Sequence, residues 1–233
     1  MLIPDHERYC SPHWKLDRLN EAVTRQDATD YLTDYWAEWI AKPMRGPIPQ
    51  GGWAQVTLGC LAVEACAWFL RPYSRWVGTQ WPHTSGKPRD IPKDQGPKPR
   101  SLHERLNSEA AFCWVFRLAF TGYEPQGLTI EKLAEVAYTV FRCNLAHRGL
   151  SKDCADSDWL GVIDSQPTVF RYLTDDKEHA LSVDPQQFVE RVDAWFRQAV
   201  LAPLSVGSSS DIDKAFKEWC GERWQISETQ WKF

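Results

Sequence analysis

Arg142, Asn144 and His147 fall within six residues at the end of a helical run, just ahead of Gly149. These side chains are the kind that metal-free phosphoryl chemistry uses. An imidazole at a helix C-terminus is biased toward its protonated form and serves as a general acid near neutral pH. A neighbouring guanidinium stabilises the charge of a crowded phosphorane, as when an RNA 2′-OH attacks the adjacent phosphorus. Arg142 and His147 are five positions apart, about 7.5 Å of rise and about 140° of rotation on an ideal helix. They therefore line two edges of a groove rather than stack, and a two-fold partner would close such a groove. Asn144 and Arg148, four positions apart, share a strip beside it. A plainer reading stands next to this one: basic side chains complement the negative end of a helix dipole, and Gly is the commonest helix stop.

Nothing else in the chain competes as chemistry. There is no Gly-Lys-Ser/Thr phosphate loop, no G-x-G-x-x-G, no H-E-x-x-H and no zinc-type Cys/His cluster, so no metal and no cofactor is expected. His6, His13, His83, His103 and His179 are scattered and read as solvated or core residues. The seven cysteines form no C-x-x-C pair, and Cys60, Cys66 and Cys113 lie in apolar runs, the pattern of reduced, buried thiols. Residues 1–7 lack the basic start and apolar stretch of a signal peptide, and the expected compartment is the cytoplasm. A net charge of -4 argues against indiscriminate nucleic-acid binding. A local basic patch is allowed: residues 87–100 hold five basic residues against two acidic ones, in a Pro-rich loop over 82–100. That loop reads as a solvated linker or as a flap that contacts phosphate.

The elements that must position Arg142 are helical. Ser11-Pro12 predicts a helix through about residue 24, with Ser as N-cap and Pro at the first position. Asp27 or Thr29 is expected to cap a second helix, whose Tyr31, Leu32, Tyr35, Trp36 and Trp39 form a buried stripe ended by Pro43 and the Gly/Pro run behind it. Residues 53–71 form a third, apolar enough to resemble a membrane span. Glu64 near its middle would be costly in lipid, so a buried central helix is expected, with no membrane role. Buried, Glu64 needs a partner, and Arg142 is one of several candidates.

Ser101-Leu102-His103-Glu104 reads as a capping box for a helix to about Phe120, central in a bundle. Gly122, Pro125 and Gly127 turn the chain, and Thr129 caps the helix carrying the motif, with Ile130, Leu133, Val136, Ala137, Val140 and Phe141 on one face. A short helix over 155–163 precedes a small β-hairpin near 168–183. Asp184-Pro185 then starts a helix to about Leu201. Pro203 and Gly207 to Ser210 read as a flexible joint before a last helix over 211–221, which docks in cis or on a partner chain. The thirteen Trp are expected mainly in the core or at subunit interfaces. The resulting expectation is mostly all-α, with residues 1–205 as one helical domain and 206–233 as joint and C-terminal helix.

Arg142-Cys143-Asn144-Leu145-Ala146-His147, followed by Gly149 and Lys152, resembles the R-x(4-6)-H signature of the HEPN superfamily, in particular variants reading Arg-x-Asn-Leu-x-His and then Gly and Lys. The resemblance implies a helical bundle that dimerises so that two motifs face each other, acting as a metal-independent endoribonuclease on single-stranded RNA. It implies Arg142 and His147 as catalytic residues and Asn144 as a residue that positions the substrate; with Arg148 on the strip beside the groove and Lys152, Asn144 is read as substrate-binding. It also implies a toxin-antitoxin or phage-defence setting, with an antitoxin or effector protein as a further partner. Gly149 stands where one toxin subgroup has Tyr, which argues against that subgroup. The alternative is a HEPN-like module that binds RNA, a nucleotide or a protein without cleaving.

Overall fold

The chain is mostly helical, as its apolar periodicity predicts. A computed structural model describes residues 9–46, 52–70, 81–82, 88–89, 108–143, 159–174 and 179–233. By packing, these group into two units: residues up to Gly46 with Asp193–Phe233, and Gly52 through Val192.

In the first unit Tyr9–Ser11 (β1) and Trp14–Lys15 (β2) make an antiparallel corner, followed by Leu16–Asn20 (α1). The helix predicted from Ser11 to about residue 24 is therefore reduced to one short segment. The cause is Asp34. Its carboxylate accepts from the Ser11 hydroxyl and from the His13 backbone N–H (3.1 Å), and it pairs with His13 Nδ1 (2.6 Å). Ser11 is thus committed across the fold and does not cap a helix.

This corner carries a pH signature. The hydrogen bond and charge of Asp34 raise the pKa of the exposed His13. Burial pushes Asp34 upward, but the bonds from Ser11 and His13 outweigh it, and its pKa is lowered overall. The His13 contribution is complete below its unfolded pKa, about 6.5, and is lost as pH rises through the higher folded value. The Asp34 contribution is present above its unfolded value, about 3.9, and is lost as pH falls through the lower folded one. In urea unfolding, the wild type should lose stability relative to His13→Gln as pH rises from about 6.5 through the higher folded pKa; a difference that stays constant as pH rises would show that the pair does not couple to folding.

Thr24 caps Arg25–Tyr35 (α2) in a capping box whose N3 partner is Asp27, so neither Asp27 nor Thr29 is the N-cap. Tyr31, Leu32 and Trp36 are buried as the stripe predicts, while Trp39 is exposed. The run passes through a π-helical stretch, Trp36–Ala41, into Lys42–Arg45 (α3), and so continues beyond Pro43. Lys42 N–H already bonds Ala37 O, five residues back, so Pro43 enters where the α-type ladder is interrupted and its missing N–H costs less.

In the second unit Gly52–Leu70 (α4) packs on Ser108–Phe120 (α5), and α5 packs on Ile130–Ala137 (α6). Helix α4 is long and apolar enough by length and composition to cross a bilayer. Here one side of it, including Val56, Cys60, Val63 and Ala67, is buried within the unit. Gly122 and Gly127, both at positive φ, make the turn predicted after α5, and Thr129 caps α6 through Lys132 N–H. The capping box at Ser101 to Glu104 lies outside the described residues. Of the Pro-rich loop, Trp81–Pro82 (β3) pairs antiparallel with Pro88–Arg89 (β4).

The predicted hairpin is present as Phe170–Thr174 (β6) and His179–Val183 (β7), with Phe170 opposite Val183. Residues 159–163, expected in a helix, are instead a third strand, Trp159–Ile163 (β5), parallel to β7 in the order β5-β7-β6. The Trp-Leu-Gly-Val-Ile segment suits a pleated, half-buried surface, and Gly161 lets it lie against the helix behind. A Cβ there would stand 2.3 Å from Val140 Cγ1 and 3.1 Å from Phe141 Cε1. Phe116, Phe120, Phe170 and Phe188 form the aromatic core, with Phe120 and Phe188 stacked at 5.1 Å.

Asp184 caps Pro185–Phe196 (α7) as predicted, and the boundary between the units falls inside this helix. The run continues through a second π stretch, Arg197–Leu201, and past Pro203 into Ala202–Val206 (α8), again with an N–H, that of Ala202, bonded five residues back. Gly207 at φ 66° turns the chain beside Arg25. Arg25 donates to the Leu204 carbonyl (2.9 Å) and forks onto Asp213 (2.6 and 2.7 Å). A guanidinium thus holds the corner where a flexible joint is expected. The last helix, Ser210–Trp224 (α9), docks in cis: Phe216 and Cys220 are buried, and Trp224 Nε1 donates to the Tyr31 hydroxyl at 2.9 Å.

Candidate functional site

Arg142 is placed by the apolar face of α6. Leu133, Val136, Ala137, Val140 and Phe141 are buried, and the helix loosens into a π stretch, Tyr138–Cys143, that rests on α4, α5 and β5. Gly161 permits the close approach of β5, and Trp53 stands 6.2 Å from the Phe141 ring. Arg142, the next residue, turns to α4. Its Nη2 and Nε lie 2.8 and 2.9 Å from Glu64 Oε2. Both side chains are mostly buried, at 16% and 12% exposure.

This pair answers the question Glu64 raises. A carboxylate inside an apolar helix needs a cation, and a guanidinium supplies charge and direction together. Two donors on one oxygen fix the plane of the Arg142 head, while the Glu64 charge offsets much of its field. Asn144, His147, Arg148 and Lys152, the other predicted site residues, lie outside the described residues.

The chain matches no protein-family model, no curated protein and no solved structure.

Two polar constellations escape the motif-based reading. On the sheet, His179 Nδ1 meets the Tyr172 hydroxyl at 2.8 Å, and its ring stacks on Trp159 at 5.2 Å. In the first unit, Asp193 is almost fully buried yet accepts from Trp36 Nε1 (2.7 Å), from Arg45 and from Arg197 Nε (3.1 and 3.0 Å). The signal for the second was legible. Asp193 sits four residues after Val189 and three before Phe196, inside the apolar stripe of α7, where a charge must find a partner.

Proposed function

We propose that this chain is a HEPN-like, metal-independent endoribonuclease that cleaves single-stranded RNA by 2′-OH attack. Arg142 supplies the cation for the phosphorane, His147 the proton transfer, and Asn144, Arg148 and Lys152 bind the substrate. The observation that carries this reading is the Glu64–Arg142 pair. It fixes the direction of the guanidinium at the start of the motif, and an oriented cation loses little entropy when the transition state forms. In this reading two copies meet so that each completes the other's groove. The setting is cytoplasmic defence against phage, or a toxin held by an antitoxin.

The same pair favours one other reading. Because Glu64 offsets the charge of Arg142, the groove would bind RNA, a nucleotide or a protein partner without turning it over. Incubation with single-stranded RNA in EDTA separates the two. The enzyme reading expects cleavage that falls by about 10²–10⁴-fold in His147→Ala while the melting temperature stays unchanged. RNA that is bound but never cut identifies a binding module. Cleavage that survives His147→Ala removes the catalytic assignment.

A further inference from the structure

The buried Asp193 organises a basic recess that no part of the ribonuclease reading uses. A cavity of about 380 Å³ in the first unit is lined by Ala37, Glu38, Lys42, Arg45 and Arg197 among others. The π stretches of both long helical runs contribute to its lining, Ala37, Glu38 and Ala41 from one and Arg197 from the other, while Lys42 and Arg45 come from α3. Such local widening of a helix recurs at functional sites.

The chemistry of the recess follows from what Asp193 holds. Its side chain is 3% exposed, and Arg197 approaches it through Nε and Arg45 through Nη2. Among the described residues no hydrogen bond uses Nη1 or Nη2 of Arg197, or Nη1 or Nε of Arg45. The two side chains are 45% and 43% exposed, and the Asp193 contacts orient their heads. A planar fork of donors matches the oxygens of phosphate, and prior anchoring lowers the entropy lost on binding.

The opposing charges do not cancel this. Lys42 is 2.6 Å from Glu38, which leaves that pair near neutral, and Asp193 offsets one of the two guanidinium charges. The C-terminus of α3 at the rim adds roughly half a negative charge. Among the described lining residues the balance is positive, and the one carboxylate, the partly exposed Glu38, is paired with Lys42.

We infer that Arg45 and Arg197, held by Asp193, form a binding site for a phosphate group, either free phosphate or the phosphate of a small monoester. A volume of about 380 Å³ accommodates a ligand larger than the ion alone, at the low end for small-molecule sites.

Isothermal titration at constant ionic strength tests this with inorganic phosphate, adenosine monophosphate and adenosine. Phosphate should bind saturably, and Arg197→Gln and Arg45→Gln should each weaken it by about tenfold or more while near-wild-type circular dichroism shows that they fold. Arg197→Lys should recover part of the affinity, since it returns the charge without the fork. Monophosphate binding more tightly than phosphate identifies a monoester as the source, and equal binding identifies the free ion; adenosine should not bind. Absence of saturable phosphate binding, or binding of equal strength in a folded Arg197→Gln protein, overturns the site.

Discussion

Replacing Arg142 with Met is expected to destabilise the protein by about 3 kcal/mol, measured by urea unfolding at neutral pH, because it strands the Glu64 carboxylate inside an apolar helix. The loss is set by the charge left behind more than by the bond removed. Two mostly buried groups surrender hydration to meet, and their attraction roughly repays that cost; with one partner gone, the cost remains. A double variant, Glu64→Leu with Arg142→Met, removes both charges and fills similar volume with methylenes. It should recover most of the stability, since replacing a buried pair by well-packed apolar groups is often neutral or stabilising. A double variant no more stable than Arg142→Met would show that Arg142 supports the fold by another route.

The second large effect is expected at Asp193. Asp193→Ala leaves the buried Trp36 indole N–H without its acceptor and two guanidiniums without their counter-charge. Trp36 also stacks on Phe196 at 3.7 Å, so it has little freedom to seek water. An unsatisfied buried donor costs about 1–3 kcal/mol, and the unpaired charges add less because both Arg heads are partly solvated. The expected sum is about 3 kcal/mol. Asp193→Asn keeps an acceptor for Trp36 and should lose roughly 1 kcal/mol. Equal losses for Ala and Asn would assign the whole effect to charge and none to the indole bond.

Much of the fold is legible in the sequence for local reasons. The apolar faces of α5 and α6, the Thr129 cap, the glycine turn, the Asp184-Pro185 start and the hairpin all follow from periodicity and cap chemistry inside a short window. The departures arise where a distant residue decides. Asp34 draws Ser11 away from a helix start, the π turns let the helices pass Pro43 and Pro203, and β5 forms because β7 and a packed helix are there to receive it. The candidate site divides in the same way. That Glu64 needs a cation is local knowledge, but that Arg142 is the cation depends on how the π stretch Tyr138–Cys143 packs on α4.

Cleavage of single-stranded RNA in EDTA by the Glu64→Leu, Arg142→Met double variant, at a temperature where it is folded, isolates the chemical role of Arg142. Because this variant separates the structural role of Arg142 from its chemical one, it should be a stable protein whose cleavage rate has fallen by at least about 10²-fold. Cleavage at the wild-type rate by that folded variant would contradict the assignment of Arg142 to the reaction.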